Sequence, residues 1–279
     1  MVVPTSMTDA LRRAADLGRH GAFLAGGTWL MRDRQPPSTW VAVHRLSELR
    51  GGGTTEDHTR WGAMTTHSEL GRVAGHPALR AVATAARTSA FPQVRAVATI
   101  GGNICARGFV EADLVPALLA VGARVQLHTV DGAETCPLED HLGTAPDRDR
   151  PALLVTVSAG HGRQRRSGYG RITVRGGGEY PLTAVAVSAE LTTSANGVRA
   201  TDVRFVVGAV EHQARRVAEA ETALEGTDLG PEAGRSAAAA AAAALTARDD
   251  LYAPGWYRLA VLPTVVAAAL ADLHSVAPV

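Results

Sequence analysis

Two glycine pairs constrain this chain more than any other feature. The first lies in "LAGGTWL", Leu24–Leu30, and the second in "TIGGN", Thr99–Asn103. Each follows a short apolar segment and precedes a polar or helical one. Glycine tolerates positive φ and lets a backbone be approached closely. Successive main-chain N–H groups bared in this way make a nest for an anion. Taken singly, each pair reads as a tight turn, because glycine marks turns routinely. Two pairs in matching context, with Thr28, Thr99 and Asn103 as side-chain donors beside them, point to a dinucleotide held between two lobes. Asp113, ten residues past Asn103, is then a candidate acceptor for ribose hydroxyls, as acidic residues are in other nucleotide sites.

Composition narrows the chemistry around those corners. The chain has 279 residues, 46% hydrophobic and 20% charged, the balance of a globular protein of two or three lobes. A net charge of +1 and 4% aromatics argue against a nucleic-acid partner. Every basic side chain is arginine, for the sequence contains no lysine. That excludes a P-loop lysine, a Schiff-base lysine and a Ser-x-x-Lys nucleophile. The two cysteines, Cys105 and Cys136, form no Cys-x-x-Cys pair and are too few to hold an iron–sulfur cluster. A disulfide between them is open, and a reducing cytoplasm is the simpler reading. The N-terminus shows no secretory pattern, and no apolar run reaches the ~18 residues a membrane span needs. No Gly-x-Gly-x-x-Gly, His-Glu-x-x-His or Gly-x-Ser-x-Gly motif occurs. The ten histidines, with His58 and His67 nearest to a cluster, match no metal-ligand spacing, so no metal site is expected.

The pattern along the chain is α+β. Thr8–Leu17 reads as a helix capped by Thr8 and stopped by Gly18. Short strands at "GAFL" and "TWVAVHRL" complete a small α/β lobe over 1–51. Gly51–Gly53 read as a linker or hairpin turn. A second lobe over 52–161 holds a strand-to-helix start that Thr66 or Ser68 caps, an alanine-rich helix over Pro77–Thr88, a helix over Asp113–Gly122, and strands at "ARVQLHTV" and "PALLVTVSA". A third lobe, 162–279, opens with "YGRITVRGGGEYPLTAVAVSAELTT", whose alternation predicts an antiparallel sheet, and then turns helical. The alanine run Ala237–Ala244 predicts a closely packed helix with no chemistry of its own.

"LAGGTWL", "GAMTTHSEL" (Gly62–Leu70), "PQVRAVATIGGNI" (Pro92–Ile104) and "DLVPALLAVGARV" (Asp113–Val125) stand in the order, and nearly at the spacing, of one family. With "YGRITVRGGGEYPLTAVAVSAEL" and the terminal "WYRLAVLPTVVAAAL", nearly the whole chain resembles the FAD-binding medium subunits of molybdenum hydroxylases, such as carbon monoxide dehydrogenase and xanthine dehydrogenase. The resemblance implies a two-lobed FAD-binding fold of the vanillyl-alcohol-oxidase/molybdenum-hydroxylase flavoprotein type, plus a C-terminal domain of antiparallel sheet and helices. It implies that Ala25, Gly26, Gly27, Thr28 and Trp29, flanked by Leu24 and Leu30, wrap the FAD diphosphate from one lobe. Thr99, Ile100, Gly101, Gly102 and Asn103 do so from the other. Asp113 takes a ribose, Thr66 and His67 face the cofactor, and Arg171, Tyr180 and Leu154 lie near the flavin ring. An iron–sulfur small subunit and a molybdopterin large subunit are the implied partners. The resemblance further implies that electrons pass from the small subunit through FAD to NAD or another acceptor. The flavin carries the chemistry, so no catalytic side chain is expected.

This sequence departs from the family at three places. The continuation "ICARGFVEAD" has no proline and reaches Asp113 one residue late; Ala22-Phe23 replaces a basic-Pro pair; "RGGGEY" carries an extra glycine. Cys105 and Arg107 lie in the altered loop, as flavin or partner contacts or as ordinary loop residues. Arg171 has a solvated surface charge as its plain alternative, and Tyr180 a core strand position. Two other functions stay open: a stand-alone FAD oxidoreductase acting on a small biosynthetic intermediate, and an assembly subunit without redox chemistry.

Overall fold

The computed structural model describes all residues except 33–35, 73–75, 146, 148–149, 175–179, 196 and 276–279, with the side chains of residues 32 and 194 also left aside. The chain forms two compact units built from interleaved segments. The first comprises Met1–Glu69, Pro92–Phe109 and Gly122–Gly160; the second comprises Leu70–Phe91, Val110–Val121 and His161–Val279.

The first unit begins with helix α1, Met7–Leu17. Its N-cap is Ser6, whose hydroxyl accepts the Asp9 N–H, so the helix starts earlier than a Thr8 cap predicts. Ser6 holds the extended conformation a cap requires, whereas Thr8 already lies within the first turn. Ala10, Leu11 and Ala14 bury one face against Val41, Val43, Leu46, Leu49, Leu153 and Val155. Strands β1 (Gly21–Leu24) and β2 (Thr39–Ala42) pair in parallel. An antiparallel sheet of five strands follows, in the order β3 (Gly52–Thr54), β4 (His58–Gly62), β7 (Leu153–Gly160), β5 (Arg124–Thr129) and β6 (Gly132–Pro137). The Gly51–Gly53 stretch is therefore no mere linker: Gly52 and Gly53 pair with Trp61 and Arg60 as an exposed edge strand. Helices α2 (His67–Leu70), α4 (Pro92–Arg95), α5 (Ile100–Cys105) and α7 (Leu138–Gly143) connect these strands, α2 ending one residue into the second unit.

The second unit is built on four antiparallel strands ordered β11 (Arg215–Arg216), β10 (Gly197–Gly208), β9 (Pro181–Ser194) and β8 (Arg165–Thr173). Helices α8 (Ala218–Leu224), α9 (Pro231–Ala244) and α11 (Leu262–His274) bury one face of this sheet through Val185, Val187, Phe205 and Val207. Helices α3 (Arg80–Thr88) and α6 (Leu114–Ala120) meet the other. There the Ser167 hydroxyl donates to Ala78 O and accepts from Ala81 N, and the Ser188 hydroxyl donates to Ala120 O. Leu182–Ala189 are consequently buried throughout. The alternation seen in the sequence is not a wet face and a dry face, but two dry faces with small hydroxyls satisfied by helix ends.

Small residues set the layer spacing. The alanine-rich α9 packs close to α11, with residue 234 so near that a β-carbon there would lie 3.0 Å from Leu270. Helix α10 (Gly255–Ala260) carries Arg258, which is fully buried, donates to Leu182 O and Ala209 O, and pairs with Asp250. Arg258 is thus a structural staple, and it lies on α10 rather than on the terminal helix α11. On β8, a β-carbon at residue 168 would sit 2.1 Å from Ala269 O, and one at residue 170 would sit 2.4 Å from Val265 O. Strand and helix backbones meet there without a side chain between them. Gly168→Ala must push α11 off the sheet, at a cost of about 3 kcal/mol by the scale of overpacked cores; urea unfolding of the full chain checks this.

Candidate functional site

The first glycine pair lies just past β1, whose Leu24 carbonyl still accepts from Val43 N–H. The two glycines are needed for different reasons. A β-carbon on Gly26 would sit 2.0 Å from the Val97 carbonyl oxygen, and Gly27 has φ +70°, the left-handed region. Gly21–Leu30 are half-buried throughout. Among the described residues the main-chain N–H groups of Gly26, Gly27 and Thr28 have no backbone partner. They form a row of open donors, as an anion nest requires.

The second pair is built otherwise. Gly101 and Gly102 are not a bare corner but the first turn of α5, capped by the Thr99 hydroxyl, which accepts from Gly102 N–H at 3.0 Å. Ile100 N–H donates to Thr65 O, Gly101 N–H to Ala63 O and Asn103 N–H to Thr99 O. Four donors read from the sequence as open are therefore engaged within the unit. Gly101 is required by packing, since a β-carbon there would lie 2.9 Å from Ala63. What the corner retains is Asn103, whose side-chain amide oxygen is buried without a hydrogen-bond partner among the described residues. The two corners are neighbours: a β-carbon on Gly102 would lie 3.9 Å from the Ala25 β-carbon.

Thr66 bridges to Thr99 and caps α2 reciprocally with Glu69, accepting from its N–H and donating its own N–H to the carboxylate. His67 donates its main-chain N–H to Ala98 O, and its side chain is 3% exposed. Burial, then the Arg95 charge, pulls its imidazole down to about 4, so it is neutral at pH 7. Ile100 and Leu154 are interior residues, at 0% and 4% exposure. Leu24, Leu30 and Tyr180 are half-buried; of the "RGGGEY" segment, residues 175–179 lie outside the described residues.

Asp113 and Arg171 belong to the second unit, at the start of α6 and on β8. The Asp113 Oδ1 accepts the Tyr169 hydroxyl at 2.6 Å and lies 3.0 Å from Arg171 Nη1. Arg171 also donates to Thr88 O at 2.7 Å. The reading of Arg171 as a solvated surface charge is overturned: its side chain is 9% exposed and paired with Asp113. Burial pushes the Asp113 carboxyl up to about 6, against the opposing pull of Arg171 and Tyr169. Tyr169 is absent from the sequence-derived set, although its place two residues before Arg171 on a strand puts both on one face.

Phe109 is absent from it too. Its ring stacks on Trp29 at a 4.4 Å centroid distance and 20° between planes. Being the lone aromatic of "ICARGFVEAD" was the available signal. In the same loop Arg107 donates to His141 O and Leu142 O, which makes it an anchor onto α7. Cys105 and Cys136 are free thiols. Among the described residues no cluster of histidine, cysteine and carboxylates is arranged to hold a metal.

Among the described residues the first glycine loop thus presents a run of main-chain donors. Residues 1–158 match the family model for the FAD-binding domain in molybdopterin dehydrogenase, and residues 169–273 match the carbon monoxide dehydrogenase flavoprotein C-terminal domain. This chain belongs to the FAD-binding medium subunits of the molybdenum hydroxylases. These are components of oxidoreductases. The nicotine 6-hydroxylase medium subunit of Paenarthrobacter nicotinovorans is 31% identical over 265 residues, 91% of this chain and 90% of that protein. The xanthine dehydrogenase FAD-binding subunit of Escherichia coli O157:H7 is 35% identical over 149 residues, about half of each chain. Among solved structures, a carbon monoxide dehydrogenase chain from Hydrogenophaga pseudoflava superposes with a TM-score of 0.84 at 27% identity, covering 97% of this chain and 96% of that one. No helix among the described residues is long and apolar enough to cross a membrane. Both glycine corners of this medium subunit fall within the first matched segment, and Asp113 does too.

The Asp113 pair makes a pH prediction. A carboxyl raised from 3.8 to about 6 on folding favours the folded state below pH ~4, and that contribution is lost as pH rises through about 6. Removing the opposing charge with Arg171→Gln raises the carboxyl further. The variant's loss of stability is then larger at pH 8, where Asp113 must ionise without its partner, than at pH 5, by about 2 kcal/mol. Urea titrations of both proteins at the two pH values check it.

Proposed function

We propose that this medium subunit holds the FAD diphosphate on the open main-chain N–H groups of Gly26, Gly27 and Thr28. The Thr28 hydroxyl and the amide of Asn103 stand beside them. The observation that carries this is the row of main-chain donors without backbone partners among the described residues. Anion recognition by backbone donors suits a chain with no lysine. Ala25, Trp29 and the α5 residues Thr99–Gly102 shape the wall of the cradle, with Ile100 and Leu154 as packing beneath it and Leu24 and Leu30 at its edges. Neutral His67 and the capped Thr66 brace α2 against the same corner. For Asp113, Arg171 and Tyr180 we propose the cofactor-facing roles on the family resemblance. Asp113 would then use its other oxygen, Oδ2, because Oδ1 is engaged with Tyr169 and Arg171.

When bound, FAD supplies the redox store that takes electrons from a partner's iron–sulfur clusters and gives them to NAD or another acceptor. This chain's own part is to bind, orient and tune. Its two cysteines cannot ligate a cluster, which supports a separate iron–sulfur small subunit and a molybdopterin large subunit as partners. The match over 90% of the nicotine 6-hydroxylase medium subunit favours that heteromeric reading over a stand-alone oxidoreductase or an assembly subunit without redox chemistry. Two free thiols suit a reducing cytoplasm.

The purified full-length chain titrated with FAD quenches flavin fluorescence and acquires a bound-flavin visible spectrum. Gly26→Ala, whose β-carbon meets the Val97 carbonyl, weakens FAD by more than about tenfold, and Gly27→Ala weakens it less, by the ~1 kcal/mol of left-handed strain. A wild-type chain that takes up no FAD would sink the proposal.

A further inference from the structure

Among the described residues the N–H groups of Gly26, Gly27 and Thr28 have no backbone partner, and the one hydrogen bond the Gly26–Thr28 backbone makes there is Met31 N–H to Gly27 O, so side-chain contacts must help to fix the loop that presents them. Its next residue is Trp29, and the indole lies flat on Phe109 at 4.4 Å and 20°. Phe109 itself is firmly delivered. Ala106 N–H closes α5 onto Gly102 O, and Phe109 N–H returns to Ala106 O, both at 3.0 Å. Gly108 turns the chain with φ +80°. Arg107 spans to α7 with two hydrogen bonds, at 3.0 Å to Leu142 O and 3.1 Å to His141 O. A pinned loop therefore holds out one flat ring, and a loop with free donors rests its own flat ring upon it. Both rings belong to the first unit.

We infer that Phe109 is a positioning residue for the cofactor: its stack on Trp29 keeps the Gly26–Trp29 loop in the donor-presenting conformation before FAD arrives. This rests on the proposed role of that loop in holding the diphosphate. It assigns a purpose to the altered "ICARGFVEAD" continuation, which carries the ring to the site. A site that is preformed only part of the time binds more weakly by that fraction. An offset aromatic stack is of the size that shifts such a fraction by about 3- to 10-fold.

The test uses the full-length chain freed of flavin, with Phe109→Tyr, Phe109→Leu, Phe109→Ala, Trp29→Ala and the Trp29→Ala/Phe109→Ala double variant. Two quantities are read: the Kd for FAD in every variant, and, in the variants that keep Trp29, the rate of chymotryptic cleavage at that residue in the flavin-free protein. The expected result is that Phe109→Tyr matches wild type in both, while Phe109→Leu and Phe109→Ala raise the Kd about 3- to 10-fold and speed cleavage. The double variant binds no more weakly than Trp29→Ala alone, because one stack is lost either way. If leucine serves as well as tyrosine, or alanine changes neither quantity, or the two substitutions add, the inference is overturned. If the wild type binds no FAD yet the variants differ in cleavage as described, the loop-holding role stands and the flavin reading falls.

Discussion

The carbonyl oxygen of Val97 occupies the place where any side chain on residue 26 would begin. That single backbone-to-backbone approach seats the first glycine loop on the segment leading into the second. Beside it stand the close approach of Ala25 to Gly102 and the left-handed turn at Gly27. Under the proposed diphosphate role, recognition would need no charged side chain, because peptide dipoles that the fold holds in place would supply the positive end.

The same need is met differently by the two glycine pairs, although they look alike in sequence. At Gly26-Gly27 the main-chain N–H groups have no backbone partner among the described residues, although the Gly27 carbonyl accepts from Met31 N–H. At Gly101-Gly102 those groups are engaged, and glycine is there to let α5 lie against Ala63. A pair of glycines announces close approach; what approaches is decided by residues distant in the chain, here Ala63 and Thr65. That part was not legible. The identity of the cap at Ser6 was hidden for a smaller reason: two hydroxyls two residues apart offer the same local signal, and tertiary packing of Leu11 and Ala14 selects between them.

The α+β class, the alanine helix and the close backbone approach at each glycine pair could be read from pattern, because each is a local consequence of residue type. The Asp113–Tyr169–Arg171 cluster could not. Its members are brought together by the register of β8 beneath α3 and α6, with Asp113 and Tyr169 56 positions apart. Nor did alternation along "PLTAVAVSAEL" disclose that both faces of β9 are covered. Serine and threonine at the alternate positions read as wet, yet Thr183 and Ser188 are fully buried and bond helix-end carbonyls.

The interleaving of the two units bears on how the chain can be made. The first unit is complete once Gly160 has been synthesised, but α3 and α6 by then are finished helices without their sheet. Val82, Ala86, Leu114 and Leu118, all interior in the final structure, must wait for β8, β9 and β10 to emerge. Residues 161–279 expressed alone would conversely present a sheet with one apolar face bare. Neither half of this protein is a portable module, and during synthesis its middle segments are the part most in need of a chaperone's cover.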